Sequence, residues 1–145
     1  MKRLIAVTAL LLGVVVFPTL ASGDLGLVLY DPLKVTEHGG TATVVSTASG
    51  PAVEVVGKLS GLGSSTTDIR VTVETNCTNQ GGNQPPGQVS GAALGIIPVN
   101  GHVDYDITTN AASCPDHMTP GFGAFADVKV FQNGVLVFEE LIPIT

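Results

Sequence analysis

From Thr41 onward the chain is written in short runs of alternating Val, Ile and Thr, broken by Gly, Pro, Asn or Ser about every eight to twelve residues. A period of two sends successive side chains to opposite faces, the requirement of a strand with one buried side. No stretch beyond the amino-terminal leader shows the capped 3.6-residue apolar spacing of a helix. The runs 25–30, 41–47, 52–59, 67–75, 88–94, 101–108, 124–131 and 135–142 are the candidate strands. This pattern predicts an all-β, antiparallel immunoglobulin-like β-sandwich of about 7–8 strands. The chain has no Trp, so the buried Trp of antibody domains is not part of the expectation.

Two runs show the alternation best. In Asp68–Glu74, Ile69, Val71 and Val73 face inward and Asp68, Arg70, Thr72 and Glu74 outward. Extending that phase puts Cys77 on the apolar side. In Gly101–Thr108, Val103, Tyr105 and Ile107 point in, while His102, Asp104, Asp106 and Thr108 point out. The last two runs join through Gln132-Asn133-Gly134. A two-residue Asn133-Gly134 turn would set Val128 beside Glu139, a carboxylate in the apolar stripe. A three-residue loop with Gly134 left-handed pairs Val130 with Leu136 and Val128 with Phe138, and is the expected register. It places Asp127 opposite Glu139, with Lys129 nearby. Residues 76–87 and 110–123 read as two long turn-rich loops.

Lys2 and Arg3, the apolar run 4–17 and the small-residue exit Thr19-Leu20-Ala21-Ser22-Gly23 have the layout of a secretory signal peptide. The run is shorter than the roughly 20 apolar residues that span a bilayer. Residues 1–22 are therefore expected to be a cleaved signal peptide, and 23–145 a single β-sandwich domain. Cleavage fits after Ala21 or after Gly23. The expected location is secreted, extracellular or in the cell envelope. The mature part keeps Lys34, Lys58, Arg70 and Lys129 against twelve carboxylates, a net charge of −8. That composition argues against nucleic acid and against anionic lipid as partners. The expected partner is an extracellular or envelope component; no cofactor is implied, and no membrane association after signal cleavage. Cys77 and Cys114 are the only cysteines. In an exported chain such a pair is most simply one disulfide, contributing ~3–4 kcal/mol through loop closure.

Ser60-Gly61-Leu62-Gly63 precedes a run ending in Cys77-Thr78-Asn79-Gln80-Gly81-Gly82-Asn83-Gln84-Pro85-Pro86-Gly87-Gln88, and a Cys114-Pro115 step follows. Over residues 53–145 the chain resembles a group of small secreted bacterial β-proteins of uncharacterised function, marked by an SGLG step and a C-x-N-x-GGN-x-x-PGQ loop. The resemblance implies a secreted β-domain with a disulfide, and no activity. After Cys-Pro that group has an Asn and a nearby Trp, where this chain has Asp116, His117 and Met118.

Candidate chemistry is sparse. Cys114, His117 and Met118, with His38 or His102, are blue-copper ligand types, but Cys77 competes for Cys114. His102, Asp104 and Asp106 share a strand face with alternate side chains ~6.5–7 Å apart, a candidate part of a metal site and also an ordinary wetted face. No G-x-S-x-G occurs, and Glu139 and Glu140, adjacent on a strand, point to opposite faces. Phe122 and Phe125, flanked by Gly and Ala, are the candidate exposed aromatics. The sequence thus favours a secreted non-catalytic binding or structural module, with a secreted metal-binding protein and a hydrolase as the alternatives.

Overall fold

A computed structural model of the chain describes residues 35–82 and 86–145. The candidate strand 25–30 and the leader lie outside these. Among the described residues seven strands form: β1 (Thr36–Thr47), β2 (Gly50–Ser60), β3 (Thr67–Thr78), β4 (Pro86–Ile96), β5 (Val103–Thr108), β6 (Thr119–Gln132) and β7 (Val135–Pro143). They make two antiparallel sheets, ordered β1-β2-β5 and β4-β3-β6-β7. With the strands lettered in sequence, this is the constant-type immunoglobulin arrangement with the fourth strand moved to the edge of the other sheet. The all-β sandwich expected from the sequence is what forms.

The alternation builds the core. Val53, Val55 and Leu59 of β2 join Val103, Tyr105 and Ile107 of β5, all buried. Ile69, Val71 and Val73 of β3 and Ala126, Val128 and Val130 of β6 are buried from the other sheet. Between the sheets these apolar faces leave water together, the main favourable term in a fold of this kind. The carboxy terminus sews one side of the sandwich: Thr145 N donates to the Ala42 carbonyl at 2.9 Å, beside a parallel bridge between Ala42 and Ile144. On the other side Asn110 N donates to the Ser90 carbonyl at 2.9 Å, and Ser90 N donates to Asn110 Oδ1 at 2.7 Å.

Cys77 and Cys114 form a disulfide joining the end of β3 to the β5–β6 crossover. Both expected loops are shorter than the sequence suggested. Pairs from Thr75–Phe122 to Thr78–Thr119 carry the β3–β6 ladder into them. Ladder hydrogen bonds there outweigh the turn propensity of Asn and Gly.

The β6–β7 register also differs from the expectation. Asn133 (φ 51°) and Gly134 (φ 77°) form a two-residue turn with both central residues left-handed, and Gln132 pairs with Val135. A bulge then places Val137 as an extra, fully buried residue, so Val130 meets Phe138 and Val128 meets Glu140. Lys129, not Asp127, stands opposite Glu139, and Asp127 stands opposite Leu141. The bulge keeps Val137 in the core at the expense of putting a carboxylate, Glu140, on the inward side of the edge strand.

Candidate functional site

Two carboxylates that break the apolar pattern, Glu37 and Glu140, lie near enough to influence each other where β1 approaches β7. Glu37 pairs with Leu59 and so faces inward. Its Oε2 accepts from Gly40 N at 2.9 Å and its Oε1 from Lys58 N at 3.3 Å, satisfying backbone donors freed by the bulge between His38 and Thr41. The Tyr105 hydroxyl donates to the same Oε1 at 3.5 Å. Burial, then the Glu37 and Glu140 charges, push the Tyr105 phenol above its usual range. Desolvation, followed by Glu37, raises Glu140. Glu37 is thereby committed to closing a bulge, a structural task.

The metal candidates do not converge. His102, Asp104 and Asp106 lie exposed on or beside β5, the outer strand of its sheet. Asp104 Oδ2 is 3.9 Å from Lys58 Nζ with both side chains largely exposed, a contact of little energetic weight. His117 lies on the exposed β5–β6 crossover at φ 68°, beside a shallow depression of about 380 Å³ formed with Asn79, Gln80 and Gly81. His38 Nε2 lies 2.8 Å from Ser60 Oγ. Among the described residues no three His, Cys, Asp or Glu side chains gather as metal ligands would. The disulfide between Cys77 and Cys114 removes the thiolate that a copper site would need.

A concavity lies on the outer face of the four-stranded sheet, where the pairing of β3 with β6 is irregular. β3 and β6 pair Val73 with Ala126 and next Thr75 with Phe122. Glu74 alone therefore faces residues 123–125, three residues against one, which makes a bulge in β6. Gly123 lets the strands stay close: a Cβ at this position would lie 3.3 Å from Glu74 Cβ. The bulge presents Phe125 on the surface, 49% exposed, beside Leu141 of β7, 58% exposed. Thr72, Glu74, Gln88 and Asp127 line the remaining walls of a groove of about 270 Å³.

The groove is acidic. Asp127 Oδ2 binds Lys129 Nζ at 2.9 Å, and Glu139 Oε1 binds the same ammonium at 3.2 Å. Hydrogen bonds to these two carboxylates hold the Lys129 ammonium above its ordinary range. Asp127 Oδ1 is enclosed with no hydrogen-bond partner. Two carboxylates on one ammonium leave a net negative charge beside Glu74, and among the described residues no basic side chain lines the groove. Farther along the face, Arg70 lies 5.1 Å over the Phe131 ring.

Of the two aromatics singled out in the sequence, Phe125 is the exposed one, and Phe122 is half-buried. The outward phase of Thr72 and Glu74 was legible from the alternation. Gln88 and Leu141 were not recognised as neighbours of that face, because only cross-strand register brings them there. The chain matches no protein-family model, no curated protein and no solved structure.

Proposed function

We propose that this protein is a secreted, non-catalytic binding module that acts at the cell exterior and takes its ligand in the groove on the outer face of β3, β6 and β7. The observation that carries this reading is the bulge-built groove, which displays Phe125 and Leu141 among polar side chains. Isolated exposed apolar residues are ordinary, whereas two of them at the rim of a polar-walled concavity are the usual makings of a binding surface. Export is supported by the leader's composition and by the disulfide, which suits an oxidising compartment. Among the described residues no helix is long and apolar enough to cross a membrane.

Fluorescently labelled protein applied to cells and washed envelope fractions of the source organism tests the reading. The wild-type protein is expected to be retained, and Phe125→Ala to lose at least tenfold in retention while unfolding at the same temperature. Equal retention of both proteins counts against the groove. Mass analysis of the natural product checks export: a chain beginning near Ser22 or Asp24 is expected, and one beginning at Met1 overturns it.

A further inference from the structure

We infer that the groove receives an arginine side chain from a partner protein; the inference rests on the binding-module reading above and specifies its ligand. Three observations converge on a planar cation. The groove presents the Glu74 carboxylate and the Asp127 carboxylate on walls that, among the described residues, include no basic side chain. Phe125 stands half-exposed at its rim, and an aromatic face attracts a guanidinium laid against it. Asp127 spends only Oδ2 on Lys129 and leaves Oδ1 without a donor. A guanidinium at the groove wall would add a donor to a carboxylate that pairs only with Lys129 among the described residues.

Size and shape favour one side chain over an extended ligand. The space, about 270 Å³, lies below the usual range for a drug-sized molecule. Guanidinium suits it better than ammonium, because its fixed fork of donors can serve two carboxylates while its plane stacks on a ring. Leu141, across from Asp127 in the β6–β7 ladder, gives the aliphatic stem an apolar wall. The same face already holds one such arrangement, Arg70 over Phe131. A neutral saccharide would need acceptors and an aromatic face too, but it would leave the negative charge of the groove uncompensated.

An amide-resolved NMR titration of the full mature protein with the peptide Gly-Gly-Arg-Gly-Gly, blocked at both ends, tests this. Its citrulline counterpart serves as a neutral isostere, and a neutral glucan oligosaccharide as a third probe. Saturable shifts at Thr72, Glu74, Gln88, Phe125 and Asp127 are expected with the arginine peptide only, weakening as salt is raised. Glu74→Gln is expected to weaken binding at least fivefold, and Phe125→Ala similarly, with unfolding temperatures near wild type. Equal binding of the citrulline peptide, or binding of the glucan in its place, overturns the arginine assignment and leaves the groove as a site. Arginine-peptide shifts elsewhere on the molecule, or none, overturn the assignment as well. Should the envelope retention of Phe125→Ala also be unchanged, the groove itself fails as a binding site.

Discussion

Gln132 shows how much one buried amide can organise. It is 1% exposed at the end of β6, and its Nε2 donates to the Gly63 carbonyl at 2.9 Å, the Ser65 carbonyl at 3.1 Å and Thr67 Oγ1 at 3.0 Å. Its Oε1 accepts from Gly63 N at 3.1 Å. One side chain therefore satisfies the crossover between β2 and β3, which has little regular pairing of its own. Gln132→Leu fills similar space but strands those backbone groups, and it should lower the unfolding free energy by about 2–4 kcal/mol in urea titration. Two residues later Gly134 sits at φ 77° with open space around its α-carbon. A valine there meets no atom and still adopts a left-handed conformation that costs about 1–2 kcal/mol, more for a β-branched residue. Gly134→Val should lower the melting temperature accordingly, whereas Gly134→Asn should be nearly neutral.

At the scale of the element, the β7 bulge has an electrostatic consequence. It turns Glu140 toward Glu37 and Tyr105 at the seam between the sheets. Because the Glu140 carboxyl titrates higher in the folded protein than in the unfolded chain, the folded state holds more protons in the window just above the ordinary Glu range. Stability should therefore rise as pH falls through that window and decline as pH rises out of it. Glu140→Gln should melt higher than wild type at pH 7 and no differently once Glu140 is protonated. Matching melting curves at both pH values would contradict this placement of the charge. The disulfide acts on an element boundary too, holding the end of β3 to the β5–β6 crossover across a sequence separation of 37. Its removal in a Cys77→Ala/Cys114→Ala protein should cost ~3–4 kcal/mol of stability, read by chemical denaturation.

For the molecule as a whole, division of labour between the sheets is the main feature. The three-stranded sheet spends its irregularity, the β1 bulge, on a seam closed by Glu37. Of the register shifts in the four-stranded sheet, the one opposite Glu74 opens a groove, while the β7 bulge turns Glu140 toward that same seam. A bulge that closes a seam should be sensitive to substitution through stability, and one that opens a groove through binding. Phe125→Ala is accordingly expected to keep the wild-type melting temperature to within about a degree, since an exposed side chain carries little folding energy. Its effect should appear in ligand retention alone. A substantial drop in melting temperature would show that Phe125 is a packing residue.

The alternating runs by themselves determined that the described chain is all-β, which side of β2, β3 and β5 is buried, and where most strands lie. Period-two burial is a local property, and every position of Ile69-Arg70-Val71 or Val103-Asp104-Tyr105 carries it. The pairing of the cysteines was legible as well, since a chain with only two leaves a single intramolecular choice. Tertiary structure alone decided the strand order, the length to which β3 and β6 stay paired, and the register of the last hairpin. There the demand to bury Val137 outweighed the cost of turning a glutamate inward, a balance that involves both sheets. The groove was decided at the same level: Glu74, Phe125, Asp127 and Leu141 are separated along the chain. What gathers them is a bulge in β6 and the cross-strand register on either side of it.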